Sequence, residues 1–327
     1  GRAGSLGSFM TIGIVAIGPA AGAGIIAGLR GVEKIGRGAI GGFVSLAILS
    51  DDGRLLRANV QDGGAEALFS NEIPHEIAQA QLAGLISSGP NRPEPLSQFI
   101  TAKTGVGIVT GHRMPQTKGK DKIPLNSVVL AEMASGKDPQ AAIDHVLHLY
   151  PDIDAGFLAV SVHGRIGIGN CDSVLARGDQ GMGILNVKSG AAKVATIHNA
   201  IFPHGLVSTL ANHVAMDTMF QQGSPKQWII IKSGITLKFG TKTQVHIDKS
   251  SLVEHIVISN NTILRGSWAI GLGDIVEVIS GGVRVGWLGY EPFIRILDGQ
   301  IIDIDGYKEN KLPVLAQHPY VECLDKP

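Results

Sequence analysis

TIGIVAIGPAAGAGII, Thr11–Ile26, runs from an apolar, β-branched stretch into a turn crowded with glycine. Two readings compete for it. In one, the glycines cradle a pyrophosphate at a helix N-terminus; in the other, the threonine at the front is the residue that matters. A dinucleotide fingerprint needs G-x-G-x-x-G between a strand and a helix. Here the third glycine falls one position late, at Gly28, and the would-be helix also holds Gly31, Gly36, Gly38, Gly41 and Gly42. Each interior glycine costs about 1 kcal/mol relative to alanine, which argues against a helix. Downstream, FVSLAILSDDGRLLRANV reads as a hairpin around Asp51-Asp52-Gly53 and not as the helix–strand alternation of a doubly wound sheet. The region is therefore expected to form antiparallel strands: TIGIVAIG, AGIIAGLR, GFVSLAIL and RLLRANV.

Further along, NEIPHEIAQAQLAGLISSG reads as helical, with Pro74 in the tolerated first turn and Gly89 just past the end. TGVGIVTG is a strand that leads through a basic loop to the helical IPLNSVVLAEMAS. DPQAAIDHVLHLY is a helix opened by Asp138 and Pro139. FLAVSVHGRIGIGN is a strand pair hinged at His163-Gly164. Strands and helices in this order suggest two sheets packed face to face with helices outside. Near Gln221 the texture changes: QQGSPK has the composition of a linker, and short β-branched strands separated by Gly, Asn or Asp turns follow it. The expected organisation is an appended remnant over 1–9, an α+β domain over 10–220 and a small all-β domain over 227–322.

Composition limits the function. With 44% hydrophobic and 17% charged residues the chain is an ordinary globular one. Lys+Arg and Asp+Glu both number 28, which removes any composition-level case for nucleic acid or an anionic membrane as partner. No apolar run reaches the length of a membrane span, and Ile12–Ile17 is too short for a secretory leader, so a cytoplasmic setting is expected. Cys171 and Cys323 make neither a disulfide framework nor a metal cluster.

Three stretches resemble the N-terminal nucleophile (Ntn) hydrolases, in particular the plant-type asparaginases, isoaspartyl peptidases and aspartylglucosaminidases, together with uncharacterised relatives that open on Met-Thr. Thr11-Ile12-Gly13-Ile14-Val15-Ala16 looks like the T-V-G-A-V-A start of the nucleophile-bearing subunit. Val109-Thr110-Gly111-His112 looks like the C-T-G-x-G-E segment, whose Thr and Gly help form the oxyanion hole. The run from Ser127 to Asn170 resembles the family's helix, helix and strand pair in order and spacing. The T-S-T-G-G and R-x-G-D stretches have no counterpart, and neither does the upstream subunit. The resemblance implies a four-layer αββα sandwich and an amide hydrolase acting on a small amino-acid-derived amide. It also implies that removal of Met10, and not self-cleavage, exposes the nucleophile.

The chemistry fits a threonine at that place. A free N-terminal threonine offers a hydroxyl nucleophile and an α-amine of pKa about 7.7–8 that serves as base; a β-branched strand starter is the plain alternative. Thr110 and Gly111 are candidates for the oxyanion hole, or simply a strand end and its turn. Arg113, His112, Arg30 and Lys34 are candidate substrate contacts, Arg113 through its planar fork, or else solvated surface groups. His198, His204 and His213 have no compact ligand spacing, so a structural role is expected and no metal or cofactor is called for. The reading is an Ntn-type amidohydrolase of small molecules, expected as a homo-oligomer. The alternative is a binding protein that keeps the sandwich without turnover.

Overall fold

The computed structural model describes residues 11–220, 227–271, 275–316 and 323–326, so the expected remnant 1–9, Met10 and the QQGSPK linker lie outside the described residues. The chain is mixed α+β and divides into two compact units, residues 1–220 with 322–327 and residues 221–321. No helix among the described residues is long and apolar enough to cross a membrane.

The first unit begins β1 (Thr11–Ile17), α1 (Ala21–Ile35), β2 (Phe43–Leu49), β3 (Leu55–Val60), α2 (Gly64–Ala67), α3 (His75–Ala78), β4 (Leu82–Ser88), β5 (Thr101–Lys103) and β6 (Gly107–Arg113). It continues with α4 (Leu125–Ala134), α5 (Pro139–Leu149), β7 (Ala155–Ser161), β8 (Ile166–Asn170), α6 (Asp172–Leu175), β9 (Gln180–Val187), β10 (Lys193–Asn199) and α7 (His204–Phe220). The second unit holds β11 (Gln227–Lys232), β12 (Leu237–Phe239), β13 (Gln244–Ile247), β14 (Val253–Ile258), β15 (Gly266–Ala269), β16 (Glu277–Ser280), β17 (Val283–Leu288), β18 (Phe293–Leu297), β19 (Gln300–Ile304) and β20 (Glu309–Leu315). A last strand, β21 (Cys323–Lys326), pairs with β9 and so belongs to a sheet of the first unit.

That sheet runs β21-β9-β10-β1-β4-β2-β3, with β1 in the middle, and a smaller sheet runs β5-β6-β7-β8. Alternation along each strand decides what lies between them. Val15, Phe43, Ala47 and Ile86 of the large sheet share one buried cluster with Ile108, Leu158 and Val160 of the small one. The opposite face of the small sheet, Val109, Phe157 and Ala159, packs on Leu125 and Val129 of α4 and Ile143 and Val146 of α5. Helices α1 and α7 pack on each other; α1 also meets β1 and β4, and α7 meets β9 and β10. Where β1 crosses β6 the two backbones touch: a Cβ at Gly13 would collide with the Gly111 carbonyl.

The fold departs from expectation at several points. Strand β6 runs on through buried His112 and Arg113 where a basic loop was expected, and β21 returns to the first unit. Two stretches also change their element type. AGIIAGLR is not a strand but lies within the 15-residue helix α1. Its glycines are contact points: a Cβ on Gly22 would strike the Ile77 carbonyl, on Gly24 the Met219 side chain, and on Gly28 the Ala211 carbonyl. Close packing against α7 and α3 outweighs a propensity cost that applies to an isolated helix. The stretch 71–89 is likewise helical only over α3; Leu82–Ser88 is fully buried strand beside β1. In α5, by contrast, Asp138 accepts from the Gln140 amide at 2.9 Å as an N-cap, with Pro139 in the first turn, as expected.

The second unit contains a seven-stranded and a three-stranded sheet around its own core, which includes Ile229, Val245, Ile256, Val278, Ile294 and Leu312.

Candidate active site

Antiparallel pairing places Thr11 at the front of β1 in register with Asn199, the last residue of β10, and with Ser88, the last residue of β4. In the small sheet β6 ends on His112 and Arg113 and β8 on Asn170, while β7 begins at Ala155. The polar ends of both sheets therefore converge. Thr11, Ser88, His112 and Asn199 are all fully buried, and burial of so many polar side chains requires partners.

Arg92 supplies several of them. It lies between Pro90 and Pro93 in the segment after β4 and is 4% exposed. Its Nη2 donates to the Thr11 hydroxyl at 2.9 Å, its Nε to Ser88 Oγ at 3.0 Å, and its Nη1 to the Arg113 carbonyl at 3.4 Å. The guanidinium stands over the Phe99 ring at 5.5 Å. Gln61 holds the Arg92 backbone at both polar atoms, accepting from its N–H at 2.9 Å and donating to its carbonyl at 2.6 Å. Burial, and next the neighbouring Arg113 charge, bring the Arg92 guanidinium down to about 10, so it remains charged at neutral pH.

His112 joins the two sheets. Its Nδ1 lies 3.2 Å from Asn199 Oδ1 and its Nε2 lies 2.6 Å from Asn170 Oδ1. Burial pushes its pKa down to about 4 against the support of these two hydrogen bonds, so the ring is neutral near pH 7. A neutral imidazole has one donor and one acceptor. One of the two amides must then turn its NH2 to the ring, and Asn170, whose buried Nδ2 otherwise lacks a partner, is the one that gains by doing so. Gly156 makes room for the pair, since a Cβ there would overlap both Asn170 Oδ1 and His112 Nε2.

Both strands that carry this link end on strained residues. Arg113 after His112 has φ 61°, and Ala200 after Asn199 has φ 54°. Left-handed non-glycine residues cost of order 1–3 kcal/mol and gather at functional sites. Arg113 folds its fork onto Asp154, with Nη2 2.6 Å from Oδ2 and Nε on Oδ1.

Of the residues singled out from sequence, Thr11, His112 and Arg113 lie in this cluster. Thr110 directs its hydroxyl elsewhere, donating to the Leu85 carbonyl at 3.1 Å. Leu85 is in register with Ile14, three residues along β1 from Thr11, or about 10 Å at 3.3 Å per residue. Gly111 provides the close approach to β1 at Gly13. Arg30 pairs with Glu66 of α2 at 3.5 Å, and Lys34 is exposed in the last turn of α1, in the helical layer and not between the sheets. His198 is buried beside the His204 carbonyl and, through burial, is pushed down to about 3; His204 and His213 lie on α7. Cys171 is buried after β8. No group of three or more His, Cys, Asp or Glu among the described residues is arranged to hold a metal ion. Arg92, Asn199 and Asn170 were not anticipated. The available signals were a lone arginine bracketed by prolines and an asparagine ending each of two apolar strands, both too common to select.

A family profile described as "Domain of unknown function (DUF6963)" matches residues 11–228. A second, "Domain of unknown function (DUF7259)", matches residues 234–309. No curated protein matches the chain. Among solved structures it is similar to glutamine phosphoribosylpyrophosphate amidotransferase from B. subtilis complexed with ADP and GMP, at 10% identity and TM-score 0.35. It is also similar to a structure titled as the allosteric regulatory enzyme of purine biosynthesis, at 12% identity and TM-score 0.34. Each match covers 63% of this chain and 43% of the other, so the chain spans less than half the length of these proteins. The first profile spans well over half of the chain, which therefore belongs to the DUF6963 family.

Proposed function

We propose that this family member is an amide hydrolase of the N-terminal nucleophile type, built on a four-layer αββα sandwich, with Thr11 as the nucleophile. The observation that carries the reading is the Thr11 hydroxyl, buried at the front of the central strand and fixed by Arg92 Nη2 at 2.9 Å where the polar ends of two sheets meet.

In this reading the working form begins at Thr11. Its α-amine takes the hydroxyl proton as Oγ1 attacks the substrate carbonyl carbon, and a C–O bond forms. The tetrahedral intermediate collapses with cleavage of the C–N bond, and the proton passes to the leaving amine. Water then attacks the ester, the same amine acting as base, and the acid is released. Arg92 is held from its backbone and from three side-chain atoms, so it presents a fixed positive charge where negative charge develops. The oxyanion role expected of Thr110 passes to Arg92, because the Thr110 hydroxyl is engaged by Leu85. His112, neutral and bonded at both nitrogens, positions Asn199 beside Thr11. The substrate is a small amide derived from an amino acid.

One observation favours the rival reading, a small-molecule binding protein without turnover: Thr11 Oγ1 already faces a cation, and the imidazole of this cluster has both nitrogens on asparagine side chains. A hydrolysis screen over amino-acid amides and anilides separates the two, comparing a chain that starts at Thr11 with one that retains Met10 and with Thr11→Ala. The proposal expects turnover from the first alone. Binding of an amide without turnover in any form supports the rival.

A further inference from the structure

On the second unit two imidazoles lie against each other. His246 of β13 and His255 of β14 are in direct register, with ring centroids 4.4 Å apart and planes 12° from parallel. One step further the register slips: Ile247 faces Val253, leaving Glu254 as the extra residue of β14. The slip shows in the burial pattern. Val253 and Ile256 are buried, while Glu254 is exposed and His255 half-buried between them. Strand β14 thus presents a carboxylate and an imidazole in succession beside the half-buried His246, an irregularity of the kind that re-aims side chains at sites.

The spacing suits chelation. Zinc–nitrogen bonds are about 2.0–2.1 Å, so two ring nitrogens on one ion stand about 3 Å apart. Directly opposed residues in an antiparallel pair have Cβ atoms within about 5.5 Å, and side-chain rotation closes the remaining gap from a 4.4 Å stack. A metal takes the neutral ring. Burial lowers the pKa of both histidines, reinforced by Lys238 for His246 and by His246 and then Lys238 for His255; Glu254 opposes the shift in each. Both rings are therefore neutral near pH 7, and Glu254, near both, offsets part of the Lys238 charge.

We propose that His246 and His255 chelate one divalent late first-row ion of the nickel, copper or zinc class across β13 and β14, with Glu254 as the neighbouring negative charge. Imidazole donors suit these ions. With no third such side chain already in ligating position among the described residues, water fills the remaining positions. The ion fastens the two strands beside the slip in their register and so stabilises the second unit when bound.

The test uses the full chain with NiCl2 or ZnCl2, followed by titration calorimetry and by thermal unfolding with and without EDTA. The expected result is one ion per chain, at least tenfold weaker binding in His246→Ala and in His255→Ala, and a metal-dependent rise in the unfolding midpoint that both variants lose. His255→Gln, which keeps a polar side chain, guards against a variant that fails to fold; it should retain the metal-free midpoint and lose the metal response. Unchanged ion binding in the double variant His246→Ala/His255→Ala would place the ion elsewhere and overturn the proposal. So would a wild-type chain with no saturable binding.

Discussion

Thr11→Ala takes an acceptor from a buried guanidinium, and removing one partner of a buried charged hydrogen bond costs about 1–3 kcal/mol. Denaturant unfolding should register that loss, while Thr11→Ser, which keeps the hydroxyl, should lose less than about 1 kcal/mol. His112 makes a pH prediction whose sign is fixed. Its folded pKa, about 4, lies below the ordinary value near 6.5, so the unfolded chain takes up the proton first on acidification. Its contribution is therefore complete above about pH 6.5 and is lost as the pH falls toward 4, by about 1.4 kcal/mol for each pH unit crossed between those values. Unfolding midpoints measured between pH 7 and 4.5 should fall more steeply for the wild type than for His112→Gln; equal slopes would contradict a buried neutral ring. Buried His198 adds to the slope in both proteins. Among single residues, Thr11 stands out in the sequence as a strand start, whereas His112 reads as part of a polar loop and proves to be buried inside β6. Arg92 was invisible because its importance comes from Gln61, Ser88 and Arg113, which meet it only in the folded chain.

At the scale of elements, α1 shows where local reasoning stops. A glycine penalty measured for a helix standing in water does not carry over to α1, where three glycines are the points at which other elements touch it. That gives a paired test. At Gly28 a Cβ would lie 2.7 Å from the Ala211 carbonyl oxygen, whereas at Gly31 it would meet only the Val214 side chain at 3.5 Å. Gly31→Ala should stabilise by about 0.5–1 kcal/mol through helix propensity. Gly28→Ala should destabilise despite the same gain, because a backbone oxygen cannot move aside cheaply. The two shifts in denaturation midpoint should have opposite signs; the same sign for both would refute the packing account. Elements whose signals are local, such as the Asp138–Pro139 start of α5 and the β7–β8 hairpin, were legible from sequence. The strand β4 was not, because LAGLISS is buried at every residue and has no period-two alternation to separate it from a buried helix.

At the scale of the whole molecule, each unit has a core of its own, so unfolding should proceed in two transitions. Gly28→Ala should lower the midpoint of one and leave the other unchanged. Removing residues 323–327 strips β21 from β9 and should weaken that same transition, because β9 then becomes an edge. Calorimetry that returns one transition, shifted as a whole by either change, would contradict separate cores. Beyond Gln221 short β-branched strands replace helices, a change of texture visible in the sequence itself. The return of the chain in β21 was not, since a four-residue strand carries no mark of the sheet it will join.

The central claim, that Thr11 is an activated nucleophile, is tested most directly by covalent labelling. A β-lactone acylates a reactive hydroxyl by ring opening with no group lost, so the adduct gains the full mass of the reagent. Incubation of the chain that begins at Thr11, followed by peptide mass spectrometry, should place one such adduct on Thr11. Thr11→Ala and the chain that retains Met10 should carry none. An unlabelled Thr11 in the chain that begins there, or equal labelling when Met10 is retained, would contradict the account.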